Sequence, residues 1–522
     1  VFEDEDLLVV NKPAGLNTHA PSPFAGEGLF EWLREREPRW ADLAILHRLD
    51  KETSGLIVFG KTRLANRSLT DQFTQRRVRK EYVLLTDRPP KPTEHVAISR
   101  IERAGPKYVS RPVLKVDDQA ETRFQVLDQA DGRTAIVATP VTGRTHQIRV
   151  HASDLGFPIL GDTLYGGSPW TRLCLHARQL SFQHPHSGEV RTFIVEPDFA
   201  ARPQWELRRL LIDCAETNAT RMLHGAADGE PGWYVDRVGD HLLSQSAGEL
   251  SAAQLMKLKE LASGAGIYHK ILRQDMQPPG SESIGPRLVH GPAAEDRFII
   301  RENNVRFELS FREGYSIGLF LDQRDNRRRL LRGQIARDFP PLTPSSHRLE
   351  VLNAFAYTCG FSVCAALAGA ATTSLDLSRK YLEWGQRNFR LNELDPAGHA
   401  FIYGDAFDWF SRLARKRRQF DVVLLDPPTF SRSKSHGVFR VEKDLAKLVQ
   451  AALPLVRQDG VLLVSTNLAS MPPEQFLSIV QGAMAGKQRT ITAQHYFPQP
   501  TDFPVDREEP AYLKTVWLRL AH

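Results

Sequence analysis

His47-Arg48-Leu49-Asp50-Lys51-Glu52-Thr53-Ser54-Gly55-Leu56 sets one carboxylate between two cations at the mouth of the apolar run Leu56-Ile57-Val58-Phe59. A run of branched and aromatic residues reads as a strand, and a rigid strand can support the loop that carries Asp50. Arg48 and Lys51 flank the carboxylate and favour its ionised form at neutral pH, which suits a nucleophile better than a general acid. The plainer reading of Arg-x-Asp-Lys is a turn cap inside a surface ion-pair cluster. The neighbouring stretches separate the two.

Four groups of residues accompany this one in order: Val9-Val10-Asn11-Lys12-Pro13-Ala14-Gly15-Leu16 before it, then Arg79-Lys80-Glu81-Tyr82, then Gly143-Arg144-Thr145-His146-Gln147-Ile148-Arg149, and finally Leu160-Gly161-Asp162-Thr163-Leu164-Tyr165-Gly166 with Leu175-His176-Ala177-Arg178. Together they resemble the RluA-type pseudouridine synthases over residues 1–204. The resemblance implies a mixed antiparallel sheet fold that isomerises uridine in RNA: the glycosidic bond to N1 breaks, the base turns over, and it is rejoined through C5. It implies no cofactor and no metal. Asp50 would be the essential carboxylate, adding to the sugar C1′ or to the base or opening a glycal route. Tyr82 would stack on the uracil and relay the C5 proton, and Arg149 would pair with Asp50. A base handled chemically must leave its stack, and an aromatic face with a basic groove receives it. Without the neighbouring motifs, Tyr82 reads first as an ordinary sheet aromatic beside Val83-Leu84-Leu85. Read as a strand, Gln147-Ile148-Arg149-Val150 puts Arg149 opposite Ile148 and Val150, toward a cleft or water.

Composition bounds the rest. With 522 residues and 41% hydrophobic content, the chain can bury large cores and exceeds one such domain. The net charge is only +6, yet basic residues cluster in Arg76-Arg77-Val78-Arg79-Lys80, Arg327-Arg328-Arg329 and Arg415-Lys416-Arg417-Arg418. Such runs suit a phosphate backbone, or simply form solvated helix faces. Four cysteines without framework or metal spacing point to a reducing compartment and to no metal site. No stretch approaches the roughly twenty apolar residues of a membrane span, and no secretory pattern opens the chain, so a soluble cytoplasmic protein is expected. The sequence opens at Val1 and enters a motif at once, which fits residues missing upstream.

Asp198 to Pro203 reads as an exit from the first domain, ahead of a helical stretch through Glu206 to Leu211. Between 205 and 310, Arg221 to Arg237 alternates Gly and Pro with short apolar runs, as a small α+β module. It resembles the accessory domain ahead of the methyltransferase domain in bacterial large-subunit rRNA methyltransferases and would shape an RNA groove or act as a spacer. From 311 to 522, Glu350-Val351-Leu352-Asn353-Ala354-Phe355 runs into the turn Ala356-Tyr357-Thr358-Cys359-Gly360, and three strands that end in acids follow: Ser374-Leu375-Asp376, Phe401-Ile402-Tyr403-Gly404-Asp405 and Val422-Val423-Leu424-Leu425-Asp426-Pro427-Pro428. Acids at the carboxyl edges of parallel strands are where open sheets bind ligands, although each alone also reads as a helix cap. Helical patterns over Arg379 to Leu391 and Glu442 to Leu453 alternate with the strands.

These strings resemble a Rossmann-like class I S-adenosylmethionine-dependent methyltransferase. The resemblance implies Asp376 at the ribose, Asp405 at the adenine, and the turn with Asn353, Phe355, Tyr357 and Gly360 around the methionine part. It implies that Gly314 to Arg324, with Asp322 and Arg324, covers the methyl donor, and that Asp426, Pro427 and Pro428 hold the base. Cys359 stands where these relatives carry glycine, and its Cβ would crowd the donor. Methylating pyrimidine C5 requires a thiolate, whereas a ring nitrogen brings its own lone pair. Relatives that make 5-methylcytosine keep a cysteine at the end of the strand that here is Val461-Leu462-Leu463-Val464-Ser465-Thr466-Asn467, and no cysteine here follows Cys364. Asp426-Pro427-Pro428-Thr429-Phe430-Ser431 with Lys434 resembles the subgroup that makes 7-methylguanosine. The expected whole is a multidomain α/β and α+β chain, a bifunctional RNA-modifying enzyme acting on rRNA, with its oligomeric state unread. Beside it stand a single-activity pseudouridine synthase whose second half only binds RNA, and a non-catalytic ribosome-assembly factor.

Overall fold

The computed structural model describes residues 1–22, 24, 26, 28–36, 38–262, 264–272, 285–313, 316–342, 347–433, 437–485, 489–505 and 509–521. The expected Lys434 and the 314–315 start of the donor-covering segment lie outside them. The chain divides into two compact units, Val1–Leu210 and Leu211–His522.

The first unit is built on an eleven-stranded mixed sheet. Its centre runs Leu7–Lys12, Ser54–Gly60, Leu175–Gln183, Arg79–Thr86, Arg133–Pro140, Gln119–Ala130. Every residue of Ser54–Gly60 is buried, which is why this strand reads as a continuous apolar run rather than an alternating one. Leu56 and Val58 pack with Leu7, Val9, Leu69 and Phe182, each such side chain contributing about 1.5–3 kcal/mol on burial. Ser54 and Gly55 pair in parallel with His176 and Ala177, and this pairing fixes where the Asp50 loop leaves the sheet. Gly55 has φ 118°, and a Cβ there would lie 2.3 Å from the Ala177 carbonyl oxygen, so only glycine fits.

One expected element is different. Gln147–Asp154 is a helix rather than a strand, and Gln147 to Ala152 are all buried, so alternation over four residues could not distinguish the two periods. The Gln147 carboxamide accepts from Thr142 Oγ1 at 2.7 Å and the Arg144 amide at 3.0 Å and donates to the Glu121 carbonyl at 2.9 Å, which starts the helix.

In the second unit, Ala219–His224, Trp233–Val238, His241–Ser246, Gly266–Ile271 and Arg287–His290 form a five-stranded sheet around Leu223, Trp233, Val235 and Ile267. A hairpin, Phe298–Glu302 with Val305–Leu309, follows. The remainder is a seven-stranded sheet ordered Ala400–Tyr403, Ala371–Asp376, Glu350–Ala354, Phe420–Leu425, Val456–Thr466, Lys514–Ala521, Thr490–Pro498. The first five strands pair in parallel and the last two antiparallel. The order reverses between Glu350–Ala354 and Phe420–Leu425, and this reversal opens a crevice at the carboxyl edge. Helices Arg379–Leu391 and Val441–Ala452 match the sequence pattern to within a residue. Among the described residues no helix is long and apolar enough to cross a membrane.

The basic runs part company. Arg415 to Arg418 are exposed, as a phosphate-facing run would be. Arg327 is not: it is 3% exposed and bidentate to Glu302 at 2.6 and 2.7 Å. Arg329 is buried too, with its guanidinium over the Phe497 ring. Helix Arg324–Arg332 therefore turns these arginines inward.

Candidate active sites

Asp50 lies on a loop pinned from both sides. Thr18 Oγ1 donates to the Leu49 carbonyl and accepts from the Leu49 amide at 2.9 and 3.1 Å, and the Thr53 amide closes a turn on the Asp50 carbonyl at 3.1 Å. Lys12, fully buried, donates from Nζ to the carbonyls of Pro13, Leu16 and Lys51 at 2.9, 2.8 and 3.2 Å. Burial pulls its pKa down to about 7, against the opposing charges of Glu52 and Asp50. The string Asn11-Lys12-Pro13 gave no sign that its lysine is a tether.

The loop opens into a cavity of ≈ 910 Å³ lined by Asp50, Tyr82 and Arg149 together. Arg48, Lys51, Arg76, Lys80 and Arg144 also line it, so the wall is basic apart from Asp50 and Glu52. Tyr82 stands on Arg79–Thr86, paired with Ala177 and Ala138. Burial and then the Asp50 charge push its phenol well above the ordinary tyrosine value.

Two expected pairings are not made. Arg149 does not hold Asp50: Nε and Nη2 clamp Asp162 at 2.7 Å each, with the two side chains 7% and 0% exposed. Arg48 and Lys51 are exposed, and among the described residues the ionisable partner within 4 Å of Asp50 is His146, Nε2 to Oδ2 at 3.9 Å. Asp162 and His146 both lie inside the strings quoted above, but spacing alone did not reveal their partners.

In the second unit, Asp376 ends its strand, and Asp405 and Asp426 follow the ends of Ala400–Tyr403 and Phe420–Leu425, all in the parallel part of the sheet. Asp376 accepts from the Tyr357 and Ser378 amides at 2.8 Å each, and burial raises its pKa against these bonds. Asp405 caps helix Ala406–Arg415, accepting from the Phe407 amide at 2.9 Å. Phe355, Tyr357 and Cys359 all have positive φ, 61°, 49° and 62°, a turn that coils its backbone before the helix beginning at Gly360. Asn353 is 1% exposed, and its amide donates to Ser362 Oγ at 2.9 Å, so its side chain braces the turn. Arg324, expected at the methyl donor, is locked instead to Asp502 at 2.9 and 2.6 Å, and both side chains are buried.

Cys359 occupies a glycine-like backbone conformation, but its side chain does not crowd the crevice. It is fully buried, and its Sγ sits over Gly385, where a Cβ would be only 2.3 Å away. The missing Cβ of Gly385 accommodates the extra one at Cys359.

Asp426, half-buried with Pro427 buried and Pro428 exposed, has its pKa pushed up to about 7 by burial and then by the charge of Asp322. Hydrogen bonds from Ser465 and Gln323 oppose this rise. Gln323 Nε2 also donates to Ser465 Oγ at 2.9 Å, and Ser465 Oγ meets Thr515 Oγ1 at 3.0 Å. Tyr512 donates its hydroxyl to Asp322 Oδ2 at 3.0 Å. Tyr512 and Thr515 carried no signal in the sequence, since they are brought in by the final strands.

The strand order, with acids at the carboxyl ends of three parallel strands, is that of a methyltransferase of the Rossmann-like class. The chain belongs to the S-adenosylmethionine-dependent methyltransferase family, whose family model matches residues 258–519. The model for RNA pseudouridylate synthases matches residues 6–154, so the chain carries a pseudouridine synthase domain ahead of the methyltransferase domain. Ribosomal RNA large subunit methyltransferase I of Aeromonas salmonicida is 30% identical over 399 residues, covering 74% of this chain and 93% of that protein. Ribosomal large subunit pseudouridine synthase C of Yersinia pestis is 38% identical over 203 residues. That match covers 36% of this chain and spans 62% of the relative's length. A solved structure described as a methyltransferase complexed with SAH is 29% identical, with a TM-score of 0.50, covering 60% of this chain and 79% of that one.

Proposed function

We propose that this chain is a bifunctional RNA-modifying enzyme: its first unit isomerises uridine to pseudouridine without a cofactor, and its second methylates guanine N7, both on large-subunit ribosomal RNA in the cytoplasm. The observation that carries the first half is the convergence of Asp50, Tyr82 and six lysines and arginines on one cavity. A flipped uracil brings an aromatic face to Tyr82 and its phosphates to the basic wall, while Asp50 meets C1′ or the ring. Arg149, tied to Asp162, acts on the site through its charge and by fixing its helix rather than by gripping Asp50.

For the second half, the left-handed turn at 355–359 and the strand-end carboxylate of Asp376 suit S-adenosylmethionine. That group, when bound, supplies the electrophilic methyl. Asp376 takes the ribose, Asp405 addresses the adenine, and the turn from Phe355 to Gly360 follows the amino-acid part. Ser465-Thr466-Asn467 offers no thiol, so activation of a pyrimidine C5 has no nucleophile there. Guanine N7 needs only positioning, and the cation it becomes is stabilised by ionised Asp426 beside Pro427 and Pro428. The relatives named for large-subunit rRNA support the choice of substrate.

Nucleoside mapping of rRNA from cells with and without the gene tests this reading. Loss of one pseudouridine and one 7-methylguanosine is expected; an unchanged map, or loss of 5-methylcytosine, contradicts it. In the purified enzyme, Asp50→Ala abolishes isomerisation and leaves RNA affinity within about twofold, since one carboxylate adds little to phosphate binding.

A further inference from the structure

Arg149 spends Nε and Nη2 on Asp162, and the ring that stands beside the Asp50 carboxylate is His146. His146 has left-handed backbone, φ 56°, at the start of helix Gln147–Asp154. Its Nδ1 lies 2.8 Å from the Tyr165 hydroxyl, and that oxygen also accepts the Tyr108 amide at 2.9 Å. An amide N–H can only donate, so the Tyr165 oxygen is its acceptor, and the phenol's own proton is free to point at Nδ1. Nδ1 is then the acceptor, and a neutral imidazole carries its proton on Nε2. Nε2 is the atom 3.9 Å from Asp50 Oδ2.

We propose that His146, fixed as the Nε2–H tautomer by Tyr165, is the positioning residue of Asp50: its N–H closes on the carboxylate when the base enters and aims the free oxygen at the reacting carbon. This rests on the pseudouridine synthase reading of the first unit. The separation of 3.9 Å is longer than a hydrogen bond, and polar pairs in open sites commonly tighten once substrate is bound. The groups that face the imidazole are Asp50 and Glu52 from the loop, Arg149 on its own helix, Asp162, and the hydroxyl of Tyr165, with the Tyr108 ring edge-on at 5.2 Å. Burial, helped by Arg149, holds the imidazole below its usual pKa, while the three carboxylates oppose this. The neutral, singly donating form is therefore the one present at pH 7.

The test is single-turnover pseudouridine formation by the full-length enzyme on rRNA, from pH 5.5 to 9, together with RNA affinity. His146→Ala lowers the rate about 10²-fold with RNA affinity held within about twofold, and His146→Gln, whose amide N–H can take the place of Nε2–H, recovers about tenfold of it. Long-range ¹⁵N–¹H spectra of the histidine-labelled chain, with His146→Gln as the assignment control, show the Nε2–H tautomer; in Tyr165→Phe it is no longer dominant. A His146→Ala rate within threefold of wild type, no recovery by His146→Gln, or an Nδ1–H tautomer in the wild type overturns the inference. Wild-type enzyme that makes no pseudouridine overturns the underlying reading instead.

Discussion

A carboxyl group held at about pH 7 changes charge where enzymes work, and Asp426 is such a group because it is buried and shares its surroundings with Asp322. Its acid form predominates below pH 7 and its base form above. If the base form faces the cation that develops on a methylated nitrogen, methyl transfer rises with pH through about 7 and then levels. Asp426→Asn abolishes that rise and lowers the plateau on the order of 10²-fold, as single-turnover methylation against pH will show. The same shift bears on stability with a definite sign. An aspartate whose folded pKa is raised binds more protons folded than unfolded between its two values, so its contribution to stability is lost as pH rises from about 4 to 7. Asp426→Asn should therefore raise the second unit's thermal midpoint at pH 8 and leave it little changed at pH 4. The identity of these acids was legible from the strings that hold them. Their partners were not, because Gln323, Ser465 and Tyr512 converge on Asp322 and Asp426 only through packing of segments far apart in sequence.

Secondary structure was most legible where a pattern ran long. Helix Arg379–Leu391 shows its period over thirteen residues, and strand Ser54–Gly60 is apolar enough to read without alternation. Four residues, Gln147 to Val150, were too few, and side-chain bonds to the neighbouring Glu121–Thr122 backbone and hydroxyl settle that segment as helix. The turn at Cys359 was misread for a related reason: its compensation lies on another helix, at Gly385. That pairing is testable by a double-mutant cycle. Gly385→Ala alone forces a Cβ to within 2.3 Å of Cys359 Sγ and should cost about 1–3 kcal/mol in denaturant unfolding. Cys359→Gly with Gly385→Ala should recover most of it, because the sulfur is gone and alanine is the better helix former. Equal losses in the single and double variants would mean that the two residues do not share the space.

Two domains on one chain place two base-modifying sites on one polypeptide, which raises the concentration of each at an RNA bound by the other. Because their carboxylates belong to separate compact units, Val1–Leu210 and Leu211–His522, a substitution in one should leave the other's chemistry intact. Both sites are expected to be active, and mass-spectrometric nucleoside mapping of rRNA treated with the purified chain and S-adenosylmethionine reads both at once. The wild type should install pseudouridine and 7-methylguanosine, Asp50→Ala only the methyl group, and Asp426→Asn only pseudouridine. A wild-type digest that gains only one of the two modifications, or gains its methyl group on a carbon, would mean that the chain is not a pseudouridine synthase joined to a nitrogen methyltransferase.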